Sequence, residues 1–66
     1  MLLVVVYDVN TETSAGRKRL RQVARQCVNY GQRVQNSVFE CDADAATAVQ
    51  LKRKLLEIVD LEKDNL

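Results

Sequence analysis

Few side chains here can do chemistry. Among 66 residues there is no histidine and no proline, and there are only two glycines and two cysteines. Nucleophilic catalysis of the Ser-His or Cys-His kind therefore lacks its base, and Gly16 and Gly31 alone make no glycine-rich phosphate loop. Cys27 and Cys41 form neither a disulfide framework nor a zinc set, which takes four ligands, so both read as buried free thiols. One acid stands in a conspicuous place: Asp8 closes the apolar run of "VVVYDVN", residues 4 to 10. With only Glu12 and Glu40 as candidate acidic neighbours, a glycosidase-like carboxylate pair is unsupported. A single carboxylate does suit Mg²⁺, which keeps most of its waters and completes its shell with substrate phosphate oxygens. Such an ion generates hydroxide and offsets charge on a phosphodiester. The plain alternative for Asp8 is a strand-end residue that hydrogen-bonds the following turn.

The second resource is arginine. The formal net charge is only +1, but residues 13 to 39 hold Arg17, Lys18, Arg19, Arg21, Arg25 and Arg33 without a single acid. Residues 1 to 12 and 40 to 66 are both net acidic, so a basic segment hides within a neutral total. Arginine suits bidentate phosphate contact, and a solvated helix face usually mixes its signs. A nucleic-acid backbone is the simplest polyanion that fits such a surface, the alternative being an ordinary solvated face. Phe39 reads as core before it reads as a base-stacking platform, because "RVQNSVFE" does not match the aromatic signature of an RNA-recognition motif.

These residues need elements to position them. Leu2 to Val9 is apolar, β-branched and aromatic without alternation, which predicts a strand buried on both faces. Asn10 to Gly16 is a turn, with Thr13 or Ser14 as N-cap of a helix over Ala15 to Asn29. Leu20, Val23, Ala24, Cys27 and Val28 form its core-facing stripe. Arg17, Arg21 and Arg25 run along the border of that stripe, and Arg19 lies on the opposite flank. Asn29 and Gly31 end the helix. Gln32 to Asp42 reads as two short strands meeting at a tight corner around "QNS". Asp44 caps a second helix, Ala45 to about Asp60, with Ala48, Leu51, Leu55, Ile58 and Val59 inward. The polar tail "LEKDNL" has no evident place to go.

The order β-α-β-β-α is an α+β arrangement, a ferredoxin-like β-α-β-β-α(-β) unit with an antiparallel sheet and two helices on one face. Its sixth element, a strand, is expected after Leu66, so residues 1–66 read as a single domain shortened at its C-terminus. A chain of this size buries only about 60% of its unfolded surface, and helices on one side leave the other sheet face wet. A second copy of the chain is the expected cover, and it would bring a second Asp8 across a two-fold axis. The longest apolar run, Met1 to Tyr7, is far short of the roughly 20 residues of a membrane span, and no secretory pattern is present. A soluble, cytoplasmic protein with no membrane partner is expected.

Three stretches are familiar together: "YDV" at 7 to 9, "RKRL" at 17 to 20 and above all "YGQRVQNSVFE" at 30 to 40. The chain resembles, over its whole length, the second CRISPR-associated (Cas) protein family, the small subunit of the spacer-acquisition machinery. The resemblance implies a homodimer with facing strand-end aspartates over a divalent ion, Mg²⁺ or Mn²⁺, and metal-dependent endonuclease activity on RNA or double-stranded DNA. It also implies a place as the bridge in a complex with the CRISPR integrase subunit. By motif, Asp8 carries over as metal ligand and catalytic residue, with Tyr7 beside it. Arg17, Arg19, Arg33 and Phe39 carry over as supports of phosphate binding or site shape, and Ser37 as a mobile neighbour. Members of the family continue with a fourth strand and usually a short fifth that crosses to the partner. Two further expectations stand beside the nuclease: a non-catalytic DNA-binding scaffold in the same complex, and a ribonuclease toxin of similar fold.

Overall fold

A computed structural model describes all residues from Met1 to Leu66. Strand β1 spans Leu2–Val6, helix α1 Ser14–Tyr30, strand β2 Gln32–Gln35, strand β3 Val38–Asp42 and helix α2 Ala45–Ile58. The sheet is antiparallel in the order β1-β3-β2. This is the ferredoxin-like α+β arrangement expected from the sequence, with the two helices packed on one another over one face.

Of the two N-cap candidates for α1 it is Thr13 that caps, so the helix starts at Ser14, one residue before the expected start, while α2 starts at Ala45 as expected. The Thr13 hydroxyl accepts the Gly16 N–H at 3.0 Å, and the Asp44 carboxylate accepts that of Thr47 at 2.7 Å. Each satisfies one of the orphan donors that a helix N-terminus leaves. The bond from Thr47 also holds the Asp44 carboxyl below its usual range. At the other end of α1, Gly31 has extended backbone, and its absent side chain is what matters: a Cβ there would run into the Glu40 carbonyl and lie 2.6 Å from Cys41 Sγ. The helix therefore turns into β2 directly against β3.

The core lies between helices and sheet. Val23 and Cys27 of α1, Leu51 and Leu55 of α2, and Val5, Phe39 and Cys41 of the sheet are all buried there, with Tyr7, Val9 and Val59 closing its edges. Both thiols are free, and burial pushes Cys27 up to about 11, so they are inert packing groups as expected.

Two expectations need correction, and a third is met only in part within one chain. β1 is buried on one face only: Val5 and Tyr7 point into the core, whereas Leu2, Val4 and Val6 are 67%, 52% and 57% exposed. The run lacks alternation in hydrophobicity, yet period-2 geometry still splits it between two environments, and only one has cover in this chain. Val28, placed in the α1 stripe, is exposed, because the core contact of α1 is narrow and ends on the Val23–Cys27 line. The tail, finally, is docked. Asn65 forms an antiparallel bridge with Asp8, and Asp64 is buried. The edge of β1 away from β3 flanks an apolar groove of about 310 Å³, walled by Leu3, Val5, Leu51, Leu55 and Leu66 among others.

Candidate functional site

Asp8 follows β1 by two residues, and the strand's alternation carries on through Tyr7 and Val9, both buried, to leave the Asp8 side chain exposed between them. It stands on the open face with Leu2, Val4 and Val6. Its peptide is clamped on both sides: Asp8 N–H donates to the Asn65 carbonyl at 2.9 Å, and Asn65 N–H donates to the Asp8 carbonyl at 2.7 Å. Its carboxylate oxygens engage no partner within the chain. A fixed backbone with free carboxylate oxygens is what a hard cation needs from a protein ligand. No group of three or more His, Cys, Asp or Glu side chains gathers anywhere in the protomer. Asp8 therefore fits a divalent ion as one ligand among waters and phosphate oxygens, but forms no closed cage.

Tyr7 points the other way. Its ring stacks on Phe39 with centroids 6.1 Å apart, its hydroxyl donates to the Asn36 carbonyl at 3.3 Å, and its N–H donates to the Ser37 carbonyl at 3.1 Å. Burial raises the phenol above its ordinary range. Arg33 of β2 lies over the Phe39 ring, 5.2 Å from its centroid, a cation–π contact at the rim of the core. Phe39 itself is fully buried, so it is core and not a free stacking platform. The "QNS" corner thus joins Tyr7, Arg33, Ser37 and Phe39 into one packed unit on the helix side, while Asp8 faces the opposite side of the sheet.

The arginines divide. Arg17 sits in the first turn of α1 and donates from Nη1 to the Thr11 carbonyl at 3.3 Å, which places its guanidinium on the connector that follows Asp8. Arg21 and Arg25 continue down the helix, exposed and unpaired. Arg19 is different, and the expectation of phosphate contact for it gives way. Its Nε donates to Asp64 Oδ2 at 2.8 Å and its Nη2 to Oδ1 at 3.4 Å, and only 16% of its side chain is exposed. The guanidinium fork is spent on a buried carboxylate.

Asp64 was not singled out by the sequence. Besides Arg19 it accepts the N–H of Asn10 on Oδ1 and that of Asp60 on Oδ2, both at 2.9 Å. These bonds, the one from Arg19 foremost, hold its carboxyl down at about 2. The available signal was Arg19 itself, an arginine on the flank away from the basic row in a segment without acids. Its partner had to come from elsewhere, but nothing in the spacing chooses among the seven acids of residues 40 to 66.

The fold and these positions define a small ferredoxin-like protein whose open sheet face carries Asp8 at one end, with Glu40 and Asp42 of β3 on the same face opposite Val4 and Leu2, and whose first helix carries a line of free arginines. No helix is long and apolar enough to cross a membrane. The chain belongs to the family described as CRISPR associated protein Cas2, whose sequence model matches residues 1–66. It is 61% identical to the CRISPR-associated endoribonuclease Cas2 of Chlorobaculum tepidum, covering all of this chain and 69% of that protein. It is 54% identical to the CRISPR-associated endonuclease Cas2 of Halalkalibacterium halodurans, with the same coverage. The crystal structure of Streptococcus pyogenes Cas2 superposes with a TM-score of 0.91 at 60% identity, covering 98% of this chain and 78% of that one.

Proposed function

We propose that this protein is a homodimeric, Mg²⁺-dependent endonuclease subunit of CRISPR adaptation that cleaves phosphodiester bonds of RNA or double-stranded DNA and partners the CRISPR integrase. The observation that carries the reading is the exposed Asp8 carboxylate on a clamped backbone, on the same uncovered sheet face as Leu2, Val4 and Val6. Relatives named as endoribonuclease and endonuclease support the reaction class. Pairing two protomers through that face sets the two Asp8 carboxylates facing each other across a shared two-fold axis. A divalent ion bound there would supply a nucleophilic hydroxide and offset charge on the phosphodiester. Asp8 holds it as oxygen ligand. Arg17, Arg21 and Arg25 bind backbone phosphates, and Tyr7, Phe39, Ser37 and Arg33 hold the corner of the sheet behind Asp8.

One observation favours a second reading. Asp8, with no histidine in the chain and no set of ligands gathered around it, has no evident general base beside it. A non-catalytic scaffold, binding duplex DNA through the same arginines and bridging integrase dimers, uses the fold without the site. The Asp8→Ala variant decides. Loss of Mg²⁺-dependent cleavage of labelled RNA and duplex DNA, with nucleic-acid binding retained, supports the nuclease. Unchanged cleavage refutes it, and unchanged spacer integration in cells assigns adaptation to the scaffold.

A further inference from the structure

Beyond Val6, β1 loses its pairing to β3, and its continuation is held by a short set of bonds. Tyr7 N–H reaches Ser37, Asp8 exchanges two backbone hydrogen bonds with Asn65, and Asn10 N–H reaches the Asp64 carboxylate. Residues 64 and 65 thus hold the chain on both sides of the Asp8 side chain. Asp64 is in turn tied to α1 through Arg19 and to the end of α2 through Asp60, whose carbonyl also accepts the Asp64 N–H at 2.7 Å. The connector after Asp8, helix α1 and the end of α2 thus meet at this one carboxylate.

We propose that Asp64, held by Arg19, is a positioning residue for Asp8: it fixes the strand end from which the Asp8 carboxylate is presented to a divalent ion. The inference rests on the reading of Asp8 as metal ligand. Asp64 faces away from the site and touches neither ion nor phosphate; its effect passes through the Asn10 amide and the Asn65–Asp8 bridge. No set of ligands gathers around Asp8 within the chain, so none corrects a misplaced Asp8. A displacement of about 1 Å at a reacting group costs on the order of a hundredfold in rate, and loss of a supporting group around a metal ligand costs about tenfold to a hundredfold in affinity. The two bonds from Asn10 and Arg19 use different oxygens of Asp64, so an amide in its place must turn its NH₂ toward one of the two donors.

The test is Asp64→Asn in the purified protein, with Mn²⁺ alone as probe. Binding is followed by paramagnetic broadening of the Asp8 amide, alongside hydrogen exchange of the Asp8, Asn10 and Val23 amides. The expected result is faster exchange at Asp8 and Asn10, unchanged protection at Val23, and about tenfold weaker Mn²⁺ binding at Asp8. Arg19→Lys, which keeps the charge but loses the fork, should give a smaller change of the same pattern, and it carries the test should Asp64→Asn unfold. Wild-type Mn²⁺ binding at Asp8 in a folded variant whose Asn10 amide has opened overturns the proposal and leaves Asp64 a staple of the fold. The reading beneath it fails separately, if Asp8→Ala binds Mn²⁺ as the wild type does.

Discussion

Arg19 and Asp64, 45 residues apart in sequence, form a fork-on-carboxylate pair at 2.8 Å in which the acid is fully buried and the base nearly so. Removing either partner strands the other's charge away from water, the costly way to break such a pair. Asp64→Ala and Arg19→Ala should each lower the unfolding free energy, Arg19→Ala by more because it leaves the buried Asp64 carboxylate without its cation. The double variant should lose clearly less than the sum. Denaturant melts of the four proteins check this, and full additivity would show that the pair is not coupled.

The same pair sets the acid limit. The Asp64 carboxyl lies at about 2 in the folded chain against an ordinary 3.8, so the unfolded chain takes up the proton first. Its contribution is complete above the unfolded value and disappears as pH falls from roughly 4 toward 2. Thermal melts across this range should show a steep loss of stability that is shallower in Asp64→Asn, whose side chain does not titrate. Parallel curves for the two proteins would assign acid sensitivity to other carboxylates.

Free and committed arginines should separate in salt. Arg21→Ala and Arg25→Ala, both exposed and unpaired, should each flatten the plot of log affinity against log salt by about one unit for duplex DNA. Arg19→Gln, which removes the charge as the alanine variants do, should leave the slope unchanged, because that charge already faces Asp64. Equal slopes for all variants would return the α1 row to a solvated face.

The open sheet face should control association. Val6 is 57% exposed and lies opposite Val38 of β3, so a carboxylate there costs an isolated chain little. Buried in a two-fold interface, it meets its own copy across the axis. Val6→Glu should therefore shift the protein to monomer in sedimentation equilibrium while its helical circular dichroism persists. A dimer of unchanged affinity would move the interface elsewhere.

Gly31 tests the packing of α1 against β3. A Cβ at this position collides with the Glu40 carbonyl and the Cys41 backbone, neither of which can swing aside as a flexible side chain does. Gly31→Ala should destabilise by about 1–3 kcal/mol, as overpacking does. A neutral outcome in a denaturant melt would mean that β3 yields at this crossing.

Much of this protein was legible without coordinates. Caps are local: Thr13 and Asp44 lie beside the amides they satisfy, so both helix starts follow from a few adjacent residues. The "QNS" interruption gave the β2–β3 corner for the same reason, and helical spacing found Val23, Cys27, Leu51 and Leu55. Asp8 stood out because a lone acid after an apolar strand is conspicuous in a chain without histidine. What the sequence could not decide was which groups meet at long range. An unbroken apolar run marks both faces of β1 for cover but does not say which of them the chain's own helices take. Arg19 looked like its neighbours in the basic segment, and Asp64 looked like any acid of a polar tail. Only the docking of residues 60 to 65 beside the first turn of α1 turned those two into a buried pair and made the tail the clamp that holds Asp8.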